Sequence, residues 1–246
     1  MKRILALVLA LLPASAFAQG AGSPQSLPLV VDLKKVAVGS WAEYGMKFGE
    51  MDMKSRWALV ARDAKAVTME MSMNTPMAAQ MPGGGKITLK MVMDPDPINA
   101  ANPVKEMIMQ MGDADPMLAP PEAPRQKFQK PDERTLVGKE ELKVPAGTFK
   151  TSHYRDHTSV GTVDVWVSED AAPLGLVKVL TTPEPQMAEG KKVEIPAAVM
   201  QLVATGTGAK PTITKPAKPF NPAGMMGGQG GDAAPDARPA KKKKGK

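Results

Sequence analysis

The chain has 246 residues, 43% apolar and 23% charged, enough for one sizeable folded unit. It has no cysteine and only two histidines, His153 and His157. That excludes a disulfide framework, a thiol nucleophile, a thiolate metal centre and a three-histidine zinc site.

Residues 1–18 read as a secretory signal peptide. Lys2 and Arg3 precede an apolar run over 4–12, and Ala16-Phe17-Ala18 is an A-x-A cleavage site. The run is far shorter than the ~20 residues that span a bilayer, so the mature protein is expected to be soluble and periplasmic or secreted. Residues 19–35 read as an N-terminal leader and 36–205 as the folded domain. Residues 206–246 read as a disordered Gly-, Pro- and Lys-rich tail, too poor in apolar residues to offset its ordering entropy. The formal charge of +7 belongs to that tail, where eight lysines and Arg238 face only Asp232 and Asp236. Lys241, Lys242, Lys243 and Lys244 form a basic run suited to an anionic membrane surface. The folded part has no basic stripe, so nucleic acid is not an expected partner; a monomer is expected.

The middle of the chain alternates with a period of two. Along 38–48, Ala42, Tyr44, Met46 and Phe48 share a side, and along 54–62 Trp57 and Leu59 do. Val67, Met69, Met71 and Met73 face one way, and Thr68, Glu70 and Ser72 the other. Ile87, Leu89, Met91 and Met93 repeat the pattern. Such alternation marks antiparallel strands with one solvated face. Gly83-Gly84-Gly85 supplies a turn and lacks the residues of a phosphate loop. Val104, Met107, Ile108 and Met111 then fall at i, i+3, i+4 and i+7, with Asn102-Pro103 before them and Gly112 after. This spacing predicts one short amphipathic helix over 103–111. Strands resume around 141–144, 148–157, 162–168, 174–180 and 193–204. About nine strands are expected, without a clear internal repeat.

Two motifs, VPAGTFKTSHYR (144–155) and VDVWVSEDAAPLGLVKV (163–179), together with Gly39-Ser40-Trp41-x-x-Tyr44, carry a resemblance. They resemble sequences of bacterial periplasmic proteins of the outer-membrane lipoprotein carrier type (LolA-like). The resemblance implies a mainly β fold: a strongly curved antiparallel half-barrel, with a helix over a concave apolar face that holds acyl chains.

Fourteen of the nineteen methionines lie between Met46 and Met117, many as M-x-M. On a strand, i and i+2 share a face. The expected lining of the concave face is Tyr44, Met46, Trp57, Met69, Met71, Met73, Met91 and Met93, with Met107, Ile108 and Met111 added by the helix. Flexible thioethers suit core gaps and variable apolar ligands alike. A Cu(I) site is the alternative, because thioether sulfur is a soft ligand, and a ligand-free structural envelope protein is a third reading.

His153 and His157 share a strand face with Arg155 between them, poor for a shared metal, and read as surface histidines. Glu140/Glu141 and Glu169/Asp170 read as solvated acids. No hydrolase, zinc-protease or calcium-loop motif is present. The sequence therefore reads as a non-enzymatic exported protein that needs no cofactor and binds a lipid or other apolar ligand.

Overall fold

A computed structural model describes residues 26–74, 85–120, 127–158, 161–188 and 191–220. The expected signal peptide and Lys241–Lys244 lie outside the described residues.

The alternating segments form one eleven-stranded antiparallel sheet. Its first meander comprises β2 (Trp41–Phe48), β3 (Met51–Arg62), β4 (Val67–Asn74), β5 (Lys86–Met93), β6 (Val104–Met111) and the short β7 (Met117–Leu118). Its second comprises β9 (Leu136–Val144), β10 (Gly147–Thr158), β11 (Gly161–Val167) and β12 (Leu176–Pro183). The last strand, β15 (Ala198–Gly206), lies between β2 and β12 and joins the two meanders. A parallel pair, β1 (Ser26–Pro28) with β8 (Lys127–Gln129), and a small hairpin, β13 (Gln186–Ala188) with β14 (Lys191–Val193), lie outside this sheet.

The sheet is open and strongly curled. Ala146, in the turn between β9 and β10, donates its N–H to the Leu202 carbonyl on β15 at 3.3 Å. Three strands separate β15 from β9 in the sheet, which in a flat sheet would hold them about 15–20 Å apart. The antiparallel half-barrel expected from sequence is thus present, and all nine expected strands belong to it.

The expected helix is not. Residues 103–111 contain β6, paired with β5 from Met93↔Val104 to Ile87↔Met111. Val104, Met107, Ile108 and Met111 fit a helical stripe, but Met107, Met109 and Met111 fit a strand equally well. A lone helix of about two turns has little stability of its own, whereas a strand here completes the exposed ladder of β5.

The concave face is closed by chain that sequence had placed outside the fold. Residues 29–35, read as leader, contribute buried Leu29, Val31 and Leu33 to the core formed by the sheet, next to Val36, the first residue of the expected domain. Arg62 fixes their path by donating from Nη1 to the carbonyls of Leu33, Lys34 and Val36 at 3.1, 2.7 and 2.7 Å. Gly175 lets the segment pass: its φ is +77°, and a Cβ there would stand 2.3 Å from Val30 Cγ2. Tyr44, fully buried on the same face, donates its hydroxyl to the Leu176 carbonyl at 3.0 Å, and burial pushes its pKa up.

The expected tail also begins later than sequence suggested. Residues 207–220 cross the other face of the sheet as a strap. Ala209 N–H donates to Gly39 O, and the N–H groups of Thr212 and Ile213 donate to the two oxygens of the buried Glu70 carboxylate at 2.6 and 3.0 Å. Lys90 reaches the Ile213 carbonyl at 3.3 Å. Ile213 is 1% exposed, a burial that a composition average over 206–246 hides.

Candidate functional site

Register turns the M-x-M repeats into rows. Met69, Met91 and Met107 stand opposite one another on β4, β5 and β6. Met71, Leu89 and Met109 form the next row, and Met73, Ile87 and Met111 the one after. Trp57 extends the second row on β3, and Tyr44 opposite Ser55 extends the third on β2. Met46 pairs with Met53, and Val67 with Met93, on the same face. Adjacent rows lie about 6.6 Å apart along each strand, and neighbours within a row about 4.8 Å. The result is a continuous, largely apolar surface rich in thioethers, interrupted on β5 by Leu89 and Ile87.

Exposure grades across it. Tyr44, Met69 and Met93 are fully buried, and Met46, Trp57, Met71 and Met91 are buried beside them. Met73, Met107, Met109 and Met111 are only half-buried, as are Leu89 and Met117. The centre of the face is therefore filled core, packed against residues 29–36 and Phe128, while the rows toward β6 and β7 form a partly exposed apolar rim. Of the residues expected to line the face, all but one share it. Ile108 falls on the opposite face, because β6 alternates where a helix would have carried Ile108 together with Met107 and Met111. It pairs with Lys90, which pairs with Glu70. Met109, absent from the expected lining, is placed on the face by the same alternation.

The second meander carries polar chemistry that the sequence did not reveal. His153 is buried, contrary to its reading as a surface residue. It stacks on Trp166 with ring centroids 4.2 Å apart and 14° between planes. Its Nε2 lies 2.6 Å from Asp164 Oδ1, which also accepts from Arg155 Nε at 2.7 Å. Glu140 is not a free acid either: its Oε1 accepts from Trp166 Nε1 at 2.6 Å and lies 3.5 Å from His153 Nδ1. The pairs His153↔Trp166 and Arg155↔Asp164 across β10 and β11 assemble this cluster, a register that no local motif announces. Each member contacts another, so the cluster ties β9, β10 and β11 together. A neighbouring cleft of about 770 Å³, which includes Glu133, Glu141, Lys150 and Tyr154 in its wall, has no methionine in its lining. Burial and the adjacent Glu133 raise the Tyr154 pKa.

Among the described residues no group of three or more His, Cys, Asp or Glu side chains could hold a metal ion, and no helix is long and apolar enough to cross a membrane.

No protein-family model and no curated protein sequence matches this chain. Solved structures do. A hypothetical protein from Chlamydia trachomatis, CT021, superposes with a TM-score of 0.42 at 12% identity, covering 77% of this chain and 96% of that one. MucB, solved in complex with MucA(peri), gives 0.41 at 14% identity over 83% of this chain; the match spans only 59% of MucB. A Bacteroides fragilis protein, described as exported and as having a YmcC-like fold, gives 0.33 at 13% identity over 74% of this chain and 100% of that one.

Proposed function

We propose that this is a non-enzymatic exported protein that binds an acyl chain or similar apolar ligand along the methionine rim of its concave face. The observation that carries this reading is the exposure gradient along two in-register rows, from fully buried Met69 to half-buried Met107 and from buried Met71 to half-buried Met109, with Met73 and Met111 half-buried on either side of buried Ile87 in the next row. A face that served only as core has no need of a wide apolar rim. Unbranched thioether side chains can repack around chains of different length and bend. Each methylene removed from water at the rim contributes about 0.8 kcal/mol, so even a partly sheltered chain of eight carbons gains several kcal/mol. The filled centre confines the ligand to the outer end of β4 and the β5–β7 side of the face, a narrower site than the full lining expected from sequence.

The test is native mass spectrometry of the mature protein purified from its own host envelope. A bound mass of several hundred daltons, identified as a lipid after denaturation, is the expected result. Replacing Met73, Met109 and Met111 with Gln should remove that mass while leaving the near-ultraviolet circular dichroism intact. A protein that is empty from its host and does not take up a fluorescent fatty acid would sink the reading.

Cu(I) binding has one observation in its favour. Met69, Met91 and Met107 occupy adjacent strands in a single row, so three sulfurs face one region of the sheet. The same experiment separates the two: a bound mass of about 63 Da lost on replacing these three with Leu would replace lipid by copper.

A further inference from the structure

The back face carries a feature that the methionine rows do not use. Arg56, Ser72 and Thr88 stand opposite one another on β3, β4 and β5, and Lys86 pairs with Asn74 in the adjacent row. The strap passes over them. Gly208, Lys210 and Thr212 roof a cleft of about 280 Å³ whose floor includes Arg56, Glu70, Ser72, Lys86 and Thr88. We propose that this cleft is a binding site for a phosphate group.

Charge is the first argument. Among the described residues, Arg56, Lys86 and Lys210 have no carboxylate within ion-pair distance. The one carboxylate in the lining, Glu70, already accepts the N–H groups of Thr212 and Ile213 and stands opposite Lys90. Three cations therefore face one engaged anion, and the cleft holds net positive charge.

Geometry is the second. The Arg56 guanidinium carbon lies 4.2 Å from the centre of the Trp41 ring, a cation–π contact that restrains the side chain and occupies none of its N–H donors with a carboxylate. Ser72 and Thr88 add hydroxyl donors from the sheet, and Thr88 is buried. Cations with hydroxyls around one small space suit the several oxygens of a phosphate better than the two of a carboxylate. The volume falls below the roughly 300–1,000 Å³ of a drug-sized pocket, so it fits a headgroup or small monoester and not a whole lipid. The strap is fixed on either side of Lys210, at Gly39 and at Glu70, so the roof is preformed.

The experiment is amide NMR of the full mature chain titrated with inorganic phosphate, then with glycerol phosphate. Saturable shifts are expected at Ser72, Thr88, Ala209 and Thr212. The double variant Arg56→Gln, Lys210→Gln keeps the distal lysines and alters only exposed side chains. It should weaken glycerol phosphate binding about tenfold or more, while Lys47→Gln leaves it unchanged. Should the double variant misfold, the wild-type shift map alone decides. Co-sedimentation with phosphatidylglycerol/phosphatidylcholine vesicles identifies the source of the phosphate. Vesicle binding lost in the double variant indicates a lipid headgroup. Vesicle binding retained while glycerol phosphate binding is lost indicates a soluble monoester. Shifts confined to residues outside the cleft, unchanged affinity in the double variant, or no saturation by about 10 mM phosphate would overturn the proposal.

Discussion

Residues 29–36 and residues 207–220 cross opposite faces of one sheet and are held there by opposite chemistry. The first segment turns Leu29, Leu33 and Val36 into the core, and its carbonyls are gathered by Arg62. The second buries Ile213, but its anchors are polar: the Glu70 carboxylate, the Lys90 ammonium and, at its far end, Asp115. Apolar burial is non-directional and insensitive to pH and salt. A carboxylate that gathers backbone N–H groups is directional, and ion pairs at the surface weaken with acid and salt. The concave segment should therefore unfold only with the whole sheet, and the strap should open by itself.

The largest effect is expected on the concave side. Leu33→Ala removes a side chain that is 1% exposed and leaves a cavity in the core; it should cost about 2–5 kcal/mol, read as a lower urea midpoint. Gly175→Ala drives a Cβ toward Val30 from the sheet side, at a backbone position with φ +77°. Overpacking of this kind costs about 1–3 kcal/mol, and the positive φ adds to it. Both variants should lower global stability as single cooperative transitions. A variant that lost only the protection of residues 29–36 would break the comparison, because it would make that segment a separable strap as well.

The effect on the back face should be local. Glu70→Gln keeps one carbonyl acceptor but loses the charge that draws both N–H groups. It should loosen the strap by about 1–2 kcal/mol, seen as faster amide exchange at Thr212 and Ile213 with little change at Leu59 or Met69. A global loss of stability of the same size would show that the strap is an integral layer of the fold.

How much of this was legible in the sequence follows the range of the forces involved. The alternation of Met69, Met71 and Met73 against Thr68, Glu70 and Ser72 is local, and it placed those strands and their shared face correctly. The segment around Met107 obeys two periods at once, so only its pairing with β5 decides between them. Leu29 and Leu33 look like leader residues until Arg62 and Gly175 are seen to make room for them. His153 and Asp164 are eleven residues apart and meet only through the β10–β11 register. The strap was missed for a related reason. Ile213 is one apolar residue in a polar stretch, and its partner Glu70 is 143 positions away.

The smallest effect lies at the outer end of the strap and separates the two segments most cleanly. Lys218 Nζ stands 2.7 Å from Asp115 Oδ2, and Lys215 Nζ stands 3.6 Å from Oδ1. These ammonium groups, Lys218 first, hold the Asp115 carboxyl below its ordinary value. A carboxyl with a lowered folded-state pKa contributes stability that is complete above its unfolded value, near pH 4, and is lost as the pH falls through the folded one. Acid should therefore release this end. The N–H of Leu118, which donates to Lys218 O, and that of Lys218, which donates to Pro116 O, should lose protection relative to the rest of the sheet as the pH falls below about 4. About 1 M salt at neutral pH should do the same in part, because screening then acts within ~3 Å. The carbonyls of Leu33, Lys34 and Val36 are bound by a guanidinium that does not titrate in this range, so those bonds should respond to neither treatment; the acid-sensitive contacts of that crossing are those of exposed Asp32 with the Lys34 N–H and the Lys35 ammonium. Equal loss of protection at both crossings would mean that the ion pairs merely decorate a strap whose stability is that of the whole sheet.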